Sequence, residues 1–317
     1  MSALAHYQIR GNSRLSKAVC ALTVLALFGV LFAMSGEVVR GRQIVLGRAW
    51  PAMELVSMDK VEHQDWDRLL RRYVDEAGNV DYIGWRENTV DVGALDAYLD
   101  ALSRAAPRLE TGREARLAFW INAYNALTIR GILGDYPTAG MHDNTSRPAS
   151  FNIWTDLLLH VGDSDYSLGH IEHQMLRPLH EPRIHFAIVC ASRGCPRLLN
   201  RAYVSSDLEH QLHENSRNFF ADPQKLAFDP LTGQLKLSPI LKWYGTDFGT
   251  SQAEMLESIV PYLPDNMPRR PPGQSAWHAS FGDYDWSLND RSGKETTPPL
   301  PPPSTPPDGD EHAQDPQ

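Results

Sequence analysis

Between Ala18 and Gly36 the chain runs for 19 residues without a charge (AVCALTVLALFGVLFAMSG), behind Arg10, Arg14 and Lys17. This exceeds the about 7–15 apolar residues of a usual signal core and reaches the roughly 18 that can span hydrocarbon. The run therefore reads as an export segment, either kept as a membrane anchor or cleaved after Ser35. It divides the chain into a cytoplasmic N-terminus (1–17), the anchor or signal (18–36), a linker (37–64), a globular domain (65–289) and a tail (290–317). The expected location is the inner membrane, single-pass with a periplasmic domain, or the periplasm if the signal is removed.

At the other end, Thr296 to Gln317 (TTPPLPPPSTPPDGDEHAQDPQ) is rich in proline and has no apolar period. Such a tail cannot bury enough surface to offset its ordering entropy and is expected to be disordered. The rest, in a chain 42% apolar and 22% charged, can close a large core. Residues 1–50 hold six Lys/Arg against one acid, 51–286 hold 22 against 32, and 287–317 hold two against six. An acidic domain without a basic stripe argues against a nucleic-acid partner, because phosphate neutralisation needs clustered Lys/Arg.

Helical and strand signals alternate inside the domain without the rhythm of a doubly wound sheet, so the expected class is α+β: one mixed domain of helices around a small antiparallel sheet. Asp65–Tyr73, Gly93–Ala105, Arg113–Leu133, Phe151–Leu159, a helix capped by Ser167, and Asp207–Phe220 read as helices. Gly78-Asn79 sits at a hairpin, KLAFDPLTGQLKL is a second hairpin, and Ser238-Pro239 opens a further helix. Arg183–Cys190 (RIHFAIVC) reads as a buried strand before a tight turn, and Phe281–Leu288 as a last short strand. No phosphate-cradling loop occurs, so no nucleotide or other cofactor is indicated.

Eight of the twelve histidines lie between His142 and His213, together with Cys190 and Cys195. The segments IEH, RIHF and CASRGC place carboxylate, imidazole and thiol within 24 residues, the ingredients of a thiol nucleophile with an oriented base. On a straight strand His185 and Cys190 point to opposite faces. His173 is then the better base for Cys190, with Glu172 holding its tautomer, while Cys195 beyond the turn has His185 as its alternative partner. A Cys190–Cys195 disulfide is a competing state that removes both thiols. The pairs His170/His173 and His210/His213 have zinc-compatible spacing but complete no ligand set, so no metal is expected. Asn122 and Asn125 lie one turn apart among Phe119, Trp120 and Tyr124. Buried amides need partners, so they brace the loop around His173 or Cys190, line a pocket, donate to an oxyanion, or cap a neighbouring turn. Arg177 shares a helix face with His173 and is available to an acid or an anionic group.

At these residues the chain resembles the bacterial and plant family known as domain of unknown function 547. The segments that carry the resemblance are FWINAYNAL, SLGHIEHQMLR, RIHFAIVCASRGCP, LSPILKWYGTDFG and YDWSLN, with the lead-in DRLLRRYVDEAGNVDY, over about 65–289. His170 departs from the small polar residue expected there. The resemblance implies an exported single-domain protein of the bacterial type, and its name implies no activity.

Two functional readings follow. The first is a thiol-dependent hydrolase or acyltransferase acting on a peptide, amide or cell-envelope substrate. Cys190 attacks, His173 and Glu172 assist, and Asn122, Asn125, Arg177 and His185 bind. The second is a non-catalytic binding or scaffold domain for a protein partner, whose His/Cys/Asn cluster is a satisfied polar core.

Overall fold

The computed structural model describes residues 43–138, 151–267 and 277–292, with the backbone of strand β1 (Val38–Arg40). The apolar run 18–36 and the tail from Thr296 lie outside the described residues. Among the described residues no helix is long and apolar enough to cross a membrane.

A mixed helix-and-sheet domain closes around one helix. After β2 (Gln43–Leu46) come α1 (Gln64–Tyr73), α2 (Tyr82–Glu87), α3 (Thr89–Ser103) and α4 (Arg113–Asp135). A helix that is apolar on all sides belongs in the middle of a core. From Leu117 to Ile129 every residue of α4 is buried, and α1, α2 and α3 join its core cluster through Trp66, Trp85, and Tyr98 with Leu99. Each fully buried Leu, Ile or Phe contributes about 1.5–3 kcal/mol. On the far side lie α5 (Ile153–Asp156), β3 (Leu157–Val161), β4 (Ser164–Ser167) and a one-turn helix α6 (Leu168–His170). A second apolar cluster, built on Phe186, Phe219, Phe220 and Phe248, gathers beneath α7 (Leu208–Ala221), β5 (Leu226–Asp229), β6 (Gln234–Leu237), α8 (Ile240–Trp243), α9 (Gly245–Phe248), α10 (Gln252–Ile259) and β7 (His278–Phe281).

The α+β class agrees with the sequence, but the sheet does not match expectation. There are two sheets and each is mixed. The first runs β1-β2-β3-β4, with β2 parallel to β3. The second runs β5-β6-β7, with β6 parallel to β7. Parallel neighbours come from segments far apart in sequence, which local patterning cannot pair. The stretch 37–64, expected as a linker, joins the domain from residue 43: Val45, Leu46 and Met58 are buried. The helix expected over Phe151–Leu159 stops at Asp156, where Leu157–Leu159 leave it to pair with β2 and β4. The last strand lies earlier than Phe281–Leu288, as β7.

The hairpin at Gly78 forms through a Val74–Val80 bridge, with Gly78 at φ 86, a left-handed conformation that suits glycine. The chain end returns to it. Val80 N–H donates to Asn289 O at 2.9 Å, Tyr82 OH donates to Asn289 Oδ1 at 2.9 Å, and Arg291 N–H donates to Val80 O at 2.9 Å. Asp290 and Arg291, assigned to the tail by composition, thus belong to the domain.

The segment Arg183–Cys190 is no strand. Glu181 accepts from the Arg183 N–H and binds its guanidinium, and Pro182 starts a 3-10 turn (Pro182–Phe186). Past that turn, side chains replace a ladder. Asn215 Nδ2 donates to Phe186 O (2.6 Å), Asn125 Nδ2 donates to Ala187 O (3.0 Å), and Val189 N–H donates to Asn125 Oδ1 (3.0 Å). Apolar content made this segment look like a strand, but its hydrogen bonds are met by distant amides.

His63, ahead of α1, bonds Tyr98 OH through Nδ1 at 2.8 Å. Burial holds its pKa down to about 4, against an ordinary 6.5. On acidification the unfolded chain takes up this proton first, so stability is expected to fall between pH 6.5 and about 4. For a partly exposed ring the loss is about 2 kcal/mol. Denaturant melts across that range measure it, and His63→Gln should flatten the slope. An unchanged slope would remove His63 as its cause.

Candidate functional site

The loop Cys190–Cys195 lies where the two apolar clusters meet, and Tyr284 packs against both. Ala191 has φ 59, a left-handed conformation that costs a residue with a Cβ about 1–2 kcal/mol. The surroundings hold it there. Asn289 N–H donates to Ala191 O (3.0 Å), Arg193 N–H to Ser287 O (2.9 Å) and Gly194 N–H to Asp285 O (2.7 Å). A Cβ on Gly194 would stand 2.8 Å from the Tyr284 ring, so only glycine lets the closing segment approach this far.

The turn folds the two thiols together. Both cysteines are free; Cys190 is half-buried and Cys195 is buried. Cys190 N–H donates to Cys195 Sγ at 3.0 Å, and Tyr284 OH donates to the same sulfur at 3.1 Å. Cys190 Sγ lies 3.1 Å from Ser192 Oγ and 3.4 Å from Tyr284 OH. Hydrogen bonding to Cys195, together with burial, pushes the Cys190 thiol up. Burial also acts against ionising Cys195, but bonds from Cys190, Ser192 and Tyr284 outweigh it and bring that thiol down. Burial and shared donors thus push the two thiols in opposite directions, Cys190 up and Cys195 down, because Cys195 collects more donors.

Facing the thiols is a linked set of charges. His185 Nε2 bonds Asp247 Oδ2 at 2.7 Å, and its ring stacks on Tyr244 with centroids 4.0 Å apart. Arg177 grips both Asp247 oxygens, each at 2.8 Å, and its Nη1 lies 3.0 Å from His173 Nδ1. Burial would raise Asp247, but its bonds to His185 and Arg177 hold it well below the usual carboxylate range. Glu172 enters from a neighbouring element. After α6 the helix widens into a π-turn (Ile171–Leu176), with Arg177 N–H reaching back to Glu172 O, and Pro178 ends it. Successive helical residues point about 100° apart. Glu172 is therefore buried, with Tyr124 OH donating to it at 3.4 Å, while His173 turns to Arg177.

These groups line a cleft of about 60 Å³ walled by Tyr124, Trp154, Trp243, Tyr244, Tyr284 and Trp286. Cys190, Cys195, His185 and Glu172 all open onto it. His173 and Arg177 stand behind, connected through Asp247. His173 makes no hydrogen bond to Cys190, so the sequence pairing of that base with that thiol has no contact to carry it. The opposite-face argument against His185 also lapses, since it assumed a straight strand. Asn122 and Asn125 brace main chain, one of the alternatives the sequence left open, and do not line the cleft. Asn122 exchanges two bonds with Tyr203, and Asn125 pins Ala187 and Val189. The histidines with zinc spacing do not converge, and among the described residues no group of three or more His, Cys, Asp or Glu could hold a metal ion. A larger cavity of about 290 Å³ beside His63 and Ala118 contains no thiol.

Sequence reasoning assigned no role to Asp247, Tyr244, Tyr284 or Ser192. The first three lie in LSPILKWYGTDFG and YDWSLN, aromatic-rich runs whose single acids were the available signal.

An α+β domain with a thiol-bearing aromatic cleft between two apolar clusters is the class these observations define. Residues 109–220 match the family described as "Protein of unknown function, DUF547". The match takes in Glu172, His185, Cys190 and Cys195 and ends before Asp247 and Tyr284. No curated protein and no solved structure matches the chain.

Proposed function

We propose that the cleft is a thiol-dependent acyl-transfer site, a hydrolase or acyltransferase with Cys190 as nucleophile. The observation that supports it is one cleft shared by a half-buried thiol, a sulfur that draws charge, and an imidazole held by a carboxylate. Cys190 Sγ passes its proton to Cys195 and forms a C–S bond to the acyl carbon, moving the carbonyl pair onto oxygen. Collapse breaks the bond to the leaving amine or alkoxide, which takes the proton. Water or a second amine then attacks the thioester and gives its proton to His185, the C–S bond breaks onto Cys190, and the sulfur takes that proton back from His185, which restores the resting state. Asp247 accepts from Nε2–H of His185, so the unprotonated Nδ1 is the nitrogen that takes the proton. The apolar run 18–36 supports a site outside the cytoplasm, on a peptide, amide or cell-envelope acyl group.

Acid-quenched protein incubated with p-nitrophenyl acetate is expected to carry an acetyl thioester on Cys190, released by neutral hydroxylamine. Cys190→Ser should lose at least about 10³-fold in turnover while melting as the parent does, because serine is a far weaker nucleophile with the same acceptor. An unmodified Cys190, or turnover that survives the substitution, overturns the reading and favours the scaffold alternative.

A further inference from the structure

Within the acyl-transfer reading, charge bookkeeping in the cleft specifies more about the substrate. Among the described residues no Lys or Arg lines the cleft; Arg177 stands behind it, with its Nε and Nη2 committed to Asp247 and its Nη1 to His173. Arg177 and Asp247 therefore cancel. Glu172 remains: it is 5% exposed, and among the described residues no Lys, Arg or His makes an ion pair with it. Its side-chain hydrogen bond comes from the neutral Tyr124 hydroxyl at 3.4 Å, and Tyr244 lines the cleft with it. A buried carboxylate met only by a hydroxyl is costly unless a cation arrives to face it.

The walls suit such a cation. Tyr284 and Trp286 have centroids 4.5 Å apart, and Trp243 lies 5.0 Å from Tyr284, so the rings form one continuous surface. Aromatic faces attract ammonium groups, most strongly where water is excluded. The volume of about 60 Å³ leaves room for a small cationic group between Glu172 and these rings.

We infer that Glu172 and the aromatic walls form a subsite for a primary ammonium group, so that the acyl donor or acceptor handled at Cys190 carries a free amine. Hydroxyl donors alone would serve an anion or a neutral carbonyl equally well; the carboxylate decides against both. The amine can come from a peptide α-amino terminus or from a lysine-like side chain. The two place the charge at different distances from the reacting carbon.

Binding to the Cys190→Ser protein, followed by indole fluorescence, tests this without any turnover. Alaninamide and n-butylammonium are the ammonium probes, and N-acetylalaninamide is the neutral control. At least one ammonium probe is expected to bind about tenfold or more tighter than the control. A preference for alaninamide assigns an α-amine, and a preference for butylammonium assigns a side-chain amine. Glu172→Gln keeps the shape and the tyrosine bond and should erase the preference, while Glu172→Asp should retain it in weaker form. Equal binding of charged and neutral probes, or a preference that survives Glu172→Gln, overturns the subsite. That failure leaves thioester formation on Cys190 intact, so it is distinguishable from failure of the acyl-transfer reading.

Discussion

Asn125→Ala is expected to destabilise the domain by about 3–5 kcal/mol, the largest effect of any single polar substitution away from the thiols. The amide is 1% exposed, accepts from Val189 N–H and donates to Ala187 O, both at 3.0 Å. Truncation leaves one buried N–H and one buried C=O without partners, at about 1–3 kcal/mol each, and adds a cavity in a helix buried on all sides. In a domain this size the melting temperature should fall by roughly 10 °C. Asn125→Asp, which keeps the acceptor and loses the donor, should fall between the alanine variant and the parent. A loss below about 1 kcal/mol would mean that the segment before Cys190 holds its shape without the amide. Because this segment ends at Cys190, the alanine variant should also alter the rate at which iodoacetamide labels that thiol.

The second expectation concerns Asp247. Asp247→Asn should lower turnover of an activated ester by about 10²–10⁴-fold while Cys190 remains in place. The carboxylate is the shared partner of His185 and Arg177, at 2.7 and 2.8 Å. Asparagine turns one of its acceptors into a donor, leaves a guanidinium partly unpaired, and stops fixing the resting proton on His185 Nε2. Stability should fall by about 2–3 kcal/mol, less than for a fully buried pair because the side chains of Asp247 and Arg177 are 21% and 29% exposed. Since Asp247 is held well below the usual carboxylate range by these two partners, its contribution is present at neutral pH and above. It is lost only as pH falls through its lowered folded value, below the window in which His63 acts. Turnover within threefold of the parent would exclude a role for His185 in moving protons.

These two residues also separate what the sequence carried from what it did not. The α+β class, the long helix over Arg113–Leu133, the hairpins at Gly78 and at Gly233, and the concentration of thiol, imidazole and carboxylate between Glu172 and Cys195 were all legible. Each rests on local periodicity, on turn chemistry, or on residues close in the chain. The sheets were not legible in the same way, because β2 pairs with β3 across more than a hundred residues. The strand expected at Arg183–Cys190 failed for a related reason: its apolar content was read correctly, but its hydrogen-bond partners are the side chains of Asn125 and Asn215, brought from other helices.

The site divides along the same line. Sequence alone put Cys190, Cys195, Glu172 and His185 within a short stretch, since thiols and imidazoles are few and their clustering is visible. Which of them face one cleft was decided by the backbone past Phe186, by the π-turn that separates Glu172 from His173, and by two late segments that deliver Asp247 and Tyr284. Proximity along the chain fixes which groups are available, whereas hydrogen bonds across it fix where each one points. Those bonds exist only once the helix Arg113–Asp135 is buried and the segment Tyr284–Asn289 has closed over the Cys190–Cys195 loop.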